Sequence, residues 1–525
     1  MRAVVGLGVA LLLASPVVLG LGVVQASTQD GGGSEAQQPA ATAAVQVTSN
    51  ADPARAHASP QIARNPETGE LVVAETDFRT EWTCNVHISG DEGRTWTRGG
   101  DPMLEPWTDC AGDPDANVNS WVHFDSDGVL HLVFAANDPA EREHAREDRQ
   151  RHVFHARSED SGRTFETTTV WEAPEAGELP GGGNRNVRTW VAVDPNDPDR
   201  VYVSWMNWWE VDGETQNRAM LAASDDSGAT FGEPVSLGEE GTSWYEARPV
   251  VDSEGAVHVV YHSRHYTDAD GEWLVRSAYH EMSTDHGATW SDPQLVDEGG
   301  KGTGFARKWG LSIDPDTDTL YVVWYGHRDP EAEAPDEHPS ILLRVSTDSG
   351  ETWSEPRTVN DELDGVPNYH PGMAVAPNGR LDIAWLDFRN SVDPTDRGGL
   401  QDVFYSYSTD GGETFSADAR VTDRQIDRRF GIWSNSVDVH APVGITATDD
   451  ATYFVWQDTR NGRELGQAED VYFAALYHDG DGAATSDAAG LPSWAWGGSG
   501  LAIGMGLAML IAVGLLRRRQ PQSAL

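Results

Sequence analysis

The sequence predicts an all-β fold, a ring of four-stranded antiparallel sheets, and two repeated features predict it. The eight-residue pattern S-x-D-x-G-x-T-[W/F] occurs six times at near-constant spacing. An alternating strand, in most copies ending in an aromatic residue, precedes each pattern and occurs a seventh time at Tyr453–Trp456. A fixed repeat of this length with several short strands is typical of a β-propeller, in which each repeat forms one blade.

The repeated pattern has the composition of a hairpin turn. Asp and Ser side chains hydrogen-bond to nearby backbone amides, and Gly adopts the positive φ that tight turns need. The Thr and the aromatic residue then return the chain to a strand. We predict that the six motif aspartates, which lie 59 to 69 residues apart, are structural. They are Asp91, Asp160, Asp226, Asp285, Asp348 and Asp410.

The repeat count predicts seven blades. The last repeat, residues 437–478, has three predicted strands and no motif. The N-terminal segment Val45–Thr48 is similar to Ala419–Thr422, which follows the sixth motif. We therefore expect this N-terminal strand to complete the last of seven four-stranded blades. A six-bladed ring with an extra sheet is the alternative.

The two ends of the chain predict export and anchoring. Residues 1–26 have one charge, Arg2, and a long apolar run, which is typical of a signal peptide or of an uncleaved anchor. Linkers are predicted at 27–44 and 479–493, on either side of a propeller at 45–478. Residues 494–516 have the length and apolarity of a transmembrane helix, and the tail 517–525 begins with three arginines. The prediction is a single-pass cell-membrane protein with an extracellular propeller.

Composition argues against several classes of partner. The chain has 37 basic and 84 acidic residues, a formal charge of −47, which repels nucleic acid and anionic headgroups. Its histidines lack metal-ligand spacing. We expect no metal or cofactor, although Asp-rich turns such as Asp314–Asp318 are a weak calcium candidate. Cys84 and Cys110 are expected to form a disulfide in an oxidising compartment, with two unpaired thiols as the alternative.

The six motifs resemble the Asp boxes of the sialidase-like superfamily, also called BNR repeat proteins. That resemblance implies that the boxes lie away from the active-site face. The superfamily includes exo-sialidases, other glycosidases, lyases and non-catalytic propellers. Its sialidases bind a sugar carboxylate with three arginines and use a Tyr nucleophile, a Glu and an Asp acid/base. One of those arginines belongs to a Phe-Arg-Ile-Pro-like segment, and here that place is His57–Pro60, without an arginine.

The candidate site is therefore predicted on the face opposite the boxes, where basic and aromatic residues collect. The predicted catalytic residues are Tyr245, Glu246, Arg248, Arg307 and Tyr369. The predicted glycan-binding residues are Trp208, Trp209, Trp244, Arg188 and His370. Guanidinium groups suit a carboxylate because they can donate two parallel hydrogen bonds. The Tyr245–Arg248 segment fits a site and a packing role equally well.

Three Asp-x-Arg segments at predicted strand ends are interpreted differently. They are Asp77–Arg79, Asp387–Arg389 and Asp458–Arg460. Because the pattern recurs in several repeats, we expect salt bridges between blades rather than ligand contacts. The function expected from the whole sequence is a glycoside hydrolase, exo-sialidase-like, that acts on anionic glycans or another carboxylate ligand. A non-catalytic propeller that binds glycans or proteins is the alternative.

Overall fold

The structure is a computed structural model, and it describes the greater part of the predicted propeller. The described residues are 40–48, 55–78, 82–103, 120–137, 151–173, 185–211, 214–238, 244–263, 265–266, 274–275, 277–299, 309–326, 338–361, 363, 365–391, 399–431, 442–463 and 468–478.

All regular structure in the described residues is β-strand. In chain order the strands are β1 (Val45–Gln46), β2 (Arg55–Arg64), β3 (Leu71–Asp77), β4 (Thr83–Ser89), β5 (Thr97–Arg98), β6 (Ser120–Phe124), β7 (Leu130–Asn137), β8 (Arg151–Ser158), β9 (Glu166–Trp171), β10 (Arg185–Val193), β11 (Val201–Val211), β12 (Glu214–Ser224), β13 (Val235–Leu237), β14 (Trp244–Val251), β15 (Val257–Ser263), β16 (His265–Tyr266), β17 (Leu274–Val275), β18 (Ala278–Ser283), β19 (Gln294–Asp297), β20 (Trp309–Ile313), β21 (Leu320–Gly326), β22 (Ser340–Ser346), β23 (Arg357–Thr358), β24 (Asn368–Val375), β25 (Leu381–Asp387), β26 (Leu400–Ser408), β27 (Ala419–Arg420), β28 (Ile426–Asp427), β29 (Gly444–Ala447), β30 (Ala451–Asp458) and β31 (Ala468–Tyr477).

These strands form seven antiparallel sheets of four, numbered here from one to seven along the chain. Sheets one to six are β2–β5, β6–β9, β10–β13, β14-β15-β18-β19, β20–β23 and β24–β27. Sheet seven has the order β29-β30-β31-β1. The strands β16 and β17 form a separate hairpin, and β28 pairs with β26. The described strands thus give seven sheets, not the alternative six.

The N-terminal strand closes sheet seven, as the sequence predicts. β1 runs antiparallel to β31, with Val45 opposite Phe473. Pairing begins before β1, because Ala41 bridges Leu476 and the amide of Thr42 donates to the Ala475 carbonyl at 2.7 Å. Residues 41–44, which were predicted to belong to a linker, therefore lie along the last sheet. A short parallel contact of β2 with β31 joins sheets one and seven.

The hydrophobic core consists of seven clusters, each between two successive sheets. Val86 and Leu130 lie in the cluster between sheets one and two, for example. Val73 and Phe473 lie in the cluster between sheets seven and one. The other five clusters join sheets two to seven in order. Burial of one such side chain stabilises the fold by about 1.5–3 kcal/mol. The clusters close on themselves, so the sheets form a ring with blades around a common axis.

Each Asp box forms the turn between the third and fourth strands of sheets one to six, and its bonds are the same each time. In the fourth box, the Ser283 hydroxyl donates to Asp285 Oδ1 at 2.9 Å and accepts from the Gly287 amide at 2.8 Å. The Thr289 amide and hydroxyl donate to the two Asp285 oxygens at 2.8 and 2.6 Å. These hydrogen bonds, the Thr289 hydroxyl first, hold the pKa of Asp285 at about 2. The box aspartate is thus held by groups of its own turn.

The box glycines also form the contact between neighbouring sheets. A Cβ added to Gly228 would lie 2.2 Å from the His155 ring of sheet two, and one added to Gly350 would lie 2.2 Å from the His280 ring of sheet four. A Cβ on Gly93 would lie 2.0 Å from the Phe473 ring of sheet seven. Glycine is required at these positions both for its positive φ and for this close approach.

Several predicted segments lie outside the described residues. They are 1–26, the linker up to residue 39, 479–493, 494–516 and the tail 517–525. Among the residues that the structure does describe, no helix is long and apolar enough to cross a membrane.

Candidate functional site at the central channel

The first strand of each sheet lines the axis of the ring. A cavity of about 80 Å³ on this axis is lined by residues from the first strands of sheets two to six and from the start of sheet seven. They are Trp121, Trp190, Val191, Arg248, Pro249, Gly310, Leu311, Pro371, Gly372, Met373, Pro442, Val443 and Ile445. In an antiparallel sheet the first and third strands run in the same direction. Because each box lies at the end of a third strand, the first strands begin at the opposite face of the ring.

Four first strands carry a β-bulge near their beginning. The bulges lie in β2, β10, β14 and β24. Each contains a residue with positive φ: Ser59 at 55°, Arg188 at 59°, Glu246 at 37° and His370 at 56°. Bulges redirect side chains, and non-glycine residues in this conformation concentrate at functional sites. The end of the channel opposite the boxes therefore has the backbone geometry of a site.

Two of these bulges bring Arg188, Glu246 and Arg248 into one buried charged cluster. Arg188 Nη1 donates to Glu246 Oε1, and Arg248 Nη2 lies 3.5 Å from Glu246 Oε2. Glu246 is fully buried, and the two arginines are 7% and 6% exposed. Burial lowers the pKa of Arg248 to about 10, against the attraction of Glu246, so this guanidinium stays charged at neutral pH. Two cations and one anion give the cluster a net positive charge.

Two indole rings enclose the Arg248 guanidinium. Its central carbon lies 3.7 Å from the Trp190 ring centroid and 4.4 Å from that of Trp309. Trp121 packs against Trp190 with a centroid separation of 4.0 Å. Cation–π contacts of this kind stabilise a desolvated arginine by about 2 kcal/mol. The rings cover the two faces of the guanidinium, so a ligand can bind it only through the N–H groups at its edges.

One edge of Arg248 is buried without a hydrogen-bond partner among the described residues. Arg248 Nε and Nη2, Arg188 Nε and Glu246 Oε2 make no hydrogen bond there, although Nη2 and Oε2 lie at the ion-pair distance of 3.5 Å from each other. Nε and Nη2 form the donor pair with which Arg55 holds Asp470, at 2.7 and 2.9 Å. The cluster thus offers a two-donor edge suited to a carboxylate and, beside it, an acceptor suited to a hydroxyl group.

The other predicted site residues on the bulged strands have different surroundings. Tyr245 is half-buried and stacks on His262 at 5.4 Å between centroids. Tyr369 and His370 contact the Tyr325 ring of sheet five at 5.1 and 5.5 Å. These aromatic residues surround the bulges of sheets four and six, at the same end of the channel.

The prediction for Trp244 is corrected by the structure. Its side chain is 5% exposed and packs edge-on against Tyr261 and Tyr279 at 5.0 and 5.3 Å, in the core between sheets three and four. Strand alternation, which the bulge interrupts only after Tyr245, directs Trp244 into the core, so it cannot stack on a glycan. Trp208 is half-buried on β11. For Trp209 only the backbone pairing with Gln216 is described, and Arg307 lies outside the described residues.

Two of the Asp-x-Arg segments form ion pairs in the described residues, and only one of them reaches a neighbouring sheet. Arg389 binds Asp387 at 2.6 Å and Asp418 of the same sheet at 2.5 Å. Arg460 binds Asp458 at 2.7 Å and also reaches Asp423, beyond the last strand of sheet six, at 3.0 Å. Arg79 lies outside the described residues.

A second buried cluster occupies the place where the resembling family has its first arginine. Glu75 accepts from Asn85 at 2.8 Å and contacts the rings of His57 and His87 at 3.1 and 3.2 Å. Burial alone would lower the pKa of His57, but the Glu75 carboxylate outweighs burial and raises it. Sheet one thus contributes a histidine–carboxylate group here, and its first strand has His57 in the segment where the resembling family has an arginine.

Sequence reasoning missed the indoles that enclose Arg248. The available signal was positional: Trp121, Trp190 and Trp309 all lie in first strands, which line the axis of any propeller. The remaining predictions concern the disulfide and a metal site. Cys84 is disulfide-bonded, and Cys110, the other cysteine of the sequence, lies outside the described residues. Within the described ranges, no group of His, Cys, Asp and Glu is arranged to hold a metal ion.

Comparisons with known proteins give structural neighbours and no sequence relatives. No family model and no curated protein match the chain. A Hadza microbial sialidase is 16% identical, with 75% of this chain and 73% of that chain covered and a TM-score of 0.41. An ulvan lyase is 14% identical, with 80% and 93% covered and a TM-score of 0.47. An α-L-arabinanase from Penicillium chrysogenum is 12% identical, with 84% and 99% covered and a TM-score of 0.40.

The chain's own features therefore carry the assignment. Six Asp boxes with identical hydrogen bonds lie on the third-to-fourth-strand turns of the first six sheets, and seven core clusters close the seven sheets into a ring. These two features identify the chain as a β-propeller of seven sheets, six of which carry an Asp-box turn.

Proposed function

We propose that this propeller binds a carboxylate-bearing glycan at the box-distal mouth of its channel and hydrolyses it as a glycosidase. The observation that carries the proposal is the Arg188–Glu246–Arg248 cluster. It concentrates net positive charge, in a chain whose formal charge is −47, beside an axial cavity that Arg248 lines. A sialidase and an arabinanase are among its structural neighbours.

The roles follow from the geometry of the cluster. The Nε and Nη2 edge of Arg248 would hold the ligand carboxylate, and Arg188 would keep Glu246 oriented. Glu246 Oε2 would accept a hydrogen bond from a sugar hydroxyl or from an attacking water. The indoles of Trp190 and Trp309 restrict Arg248 to this edge-on contact. A planar carboxylate fits that edge better than a neutral sugar, because both donors are then used.

A specific observation favours the second candidate, a glycan-binding propeller without turnover. The first strand of sheet one has His57 and Ser59 in place of the arginine found in sialidases, and His57 is engaged by Glu75. Binding requires only the Arg248 edge, whereas hydrolysis requires a complete set of reacting groups.

The test separates binding from turnover. We would measure hydrolysis of fluorogenic sialoside, glucuronide and arabinoside substrates, and glycan-array binding, for the wild type, Arg248→Lys and Glu246→Gln. Arg163→Lys on the box face, where Arg163 pairs with Glu70 at 2.6 Å, is the matched control. We expect Arg248→Lys to weaken binding of acidic glycans by at least about tenfold, since lysine lacks the paired donors.

Glu246→Gln distinguishes the two candidates. For an enzyme, we expect it to retain acidic-glycan binding and to lose turnover by about a hundredfold or more. Binding by the wild type without turnover on any substrate would support the second candidate. Hydrolysis that survives both substitutions would refute the site.

The proposed location is the cell surface. The apolar run in residues 1–26 and the apolar segment 494–516, followed by three arginines, support export with a single C-terminal anchor. Protease digestion of intact cells tests this, because an outward-facing propeller is removed whereas a cytoplasmic one is protected.

A further inference from the structure

The box face contains a groove between sheets five and six that differs from its counterpart elsewhere in the ring. This groove, which we call the 5–6 groove, has a volume of about 640 Å³. The equivalent groove between sheets one and two has about 310 Å³ and is lined by Glu67, Glu70, Asp127 and Glu159 among others. Ligand pockets commonly have volumes of about 300–1,000 Å³. The larger groove lies on the face opposite the channel mouth and shares no residue with the charged cluster.

A single glycine opens the 5–6 groove. The residue after the box aspartate has a side chain in boxes one to five, and in box six it is Gly411. In box four this residue is His286, whose ring lies 3.4 Å from the hydroxyl of Tyr202 in sheet three. Tyr321 is the counterpart of Tyr202 in sheet five, and a Cβ on Gly411 would lie 3.8 Å from its hydroxyl. Between sheets three and four, His286 therefore covers the Tyr202 hydroxyl. Between sheets five and six, Gly411 leaves the Tyr321 hydroxyl on the wall of the groove.

Trp353, the aromatic residue of the fifth box, is also used differently. In boxes one and four, the indole nitrogens of Trp96 and Trp290 donate to the carbonyls of Gly93 and Gly287 at 3.1 and 3.2 Å. Trp353 lines the 5–6 groove, and its indole nitrogen is buried without a hydrogen-bond partner among the described residues. A buried N–H without a partner is costly, so a ligand that accepts from it would be favoured.

The charged groups of the 5–6 groove are already occupied. Asp410 accepts from Ser408 at 2.7 Å and from the Thr414 hydroxyl at 2.5 Å. Arg357 donates to Glu413 at 2.7 Å and to a box carbonyl at 3.1 Å. The other polar groups of the lining are neutral: the Tyr321 hydroxyl, threonine hydroxyls, the Asn378 amide and the Trp353 indole. Some of them are already partly engaged, since the Thr317 and Thr319 hydroxyls lie 2.9 Å apart and Asn378 Oδ1 accepts from the Arg380 amide at 3.1 Å. Burial raises the pKa of Tyr321 to about 12, so its hydroxyl remains a donor.

From these contacts we propose that the 5–6 groove is a second binding site, for a neutral sugar unit. A pyranose ring has one apolar face for an indole and several hydroxyls that donate and accept, which matches this lining. An anionic ligand is disfavoured because no cation of the groove is unpaired and the protein is strongly acidic. The site would hold an uncharged part of a glycan independently of the channel.

The experiment uses the full chain, with methyl α-D-glucopyranoside and methyl β-D-galactopyranoside as probes. Binding of each sugar is measured by saturation-transfer NMR and by calorimetry. Gly411→His recreates the His286 contact, and Gly411→Ser gives box six the residue of boxes two, three and five. Other boxes hold side chains here at φ of 56–60°, so both variants should fold. Trp353→Phe removes the indole nitrogen, and Trp290→Phe is its matched control in box four.

We expect at least one sugar to bind the wild type, and Gly411→His and Trp353→Phe to weaken its affinity by at least about tenfold. Trp290→Phe and Arg248→Lys should bind it as the wild type does. The proposal is overturned if neither sugar receives saturation, or if Gly411→His, Gly411→Ser and Trp353→Phe all bind as well as the wild type. Because Arg248→Lys acts only at the channel, failure of this proposal and failure of the channel site give different results.

Discussion

The two ends of the sheets differ in how regular they are: the box turns are all alike, whereas the channel mouth differs from sheet to sheet. At the box end, six turns repeat one set of hydrogen bonds, and each box aspartate holds its own Ser and Thr, as Asp285 does. At the channel mouth, four bulges present four different residues, and the side chain of Glu246 is held by Arg188 of the preceding sheet. The repeated hydrogen bonds of the box aspartates lie within one turn, whereas the charged cluster at the channel mouth is assembled from two sheets. The difference indicates where a ligand can be recognised specifically.

The largest expected loss of stability is at the channel mouth, in the Arg188–Glu246–Arg248 cluster. Glu246→Ala leaves Arg188 and Arg248 buried and close together without their shared counter-ion, so we expect a loss of about 3–5 kcal/mol in the free energy of unfolding. Urea unfolding followed by tryptophan fluorescence measures it. The double variant Glu246→Ala/Arg188→Met, which removes one cation, should recover part of the loss. An unchanged midpoint in Glu246→Ala would mean that the cluster is not a buried unit.

The second prediction compares two box glycines, one needed for its positive φ alone and one needed also for close contact with the neighbouring sheet. Gly228 and Gly287 have φ of 80° and 85°, but a Cβ would lie 2.2 Å from His155 at Gly228 and 3.6 Å from its nearest neighbour at Gly287. We expect Gly287→Ala to cost about 1 kcal/mol for its conformation and Gly228→Ala about 2–4 kcal/mol, since a ring must also move. Thermal unfolding of both variants measures the difference. Equal losses would show that the glycines serve only the turn.

A third prediction concerns the residues that lie against the box glycines. The pKa of buried His155 and of buried His280 is lowered to about 3, chiefly by desolvation and then by the partners His131 and His258. The unfolded chain therefore binds more protons below about pH 6.5, and stability should fall as pH drops from there. The expected loss is about 2 kcal/mol per histidine by about pH 4.5.

The variant His155→Leu/His280→Leu tests this directly. Leucine is the natural residue at the corresponding position of sheets three and five, Leu221 and Leu343, where it lies against Gly287 and Gly412. We expect the double variant to have a smaller loss of thermal stability between pH 7 and 4.5 than the wild type. The same acid sensitivity in both proteins would assign the effect to other groups, of which Asp125 and Asp252 contact the partner histidines.

The smallest effect concerns one box at a time. Asp226→Asn keeps the shape of the turn but weakens the bonds from Thr230 at 2.8 and 2.7 Å, so we expect about 1 kcal/mol and no change in ligand binding. Hydrogen bonds lower the box pKa, to about 2 for Asp285 and Asp410. Their contribution is therefore complete above about pH 4 and is lost as pH falls towards 2. Acid titration of stability, compared between wild type and Asp226→Asn, measures it.

The fold was largely predictable because its determinants are local. Box residues bond to amides within four positions of their aspartate, as Thr289 does with Asp285, so the eight letters of the motif specify the turn. The missing strand of the last repeat was also visible, because Val45–Thr48 has the same pattern as Ala419–Thr422. In contrast, Trp244 was assigned to the site although it lies in the core, because it was grouped with the neighbouring Tyr245 and was not placed by the alternation of its strand.

By itself, the sequence determined the number of sheets, the position of the boxes and the segment that closes the ring, because each depends on contacts within one repeat or on a repeated pattern. Only the tertiary structure decided that Arg188 meets Glu246 from 58 residues away and that the Arg248 guanidinium lies between Trp190 and Trp309. Those contacts depend on bulges that turn side chains across the axis and on which first strands are neighbours. Both are consequences of closing the ring, which places residues from distant repeats around one channel.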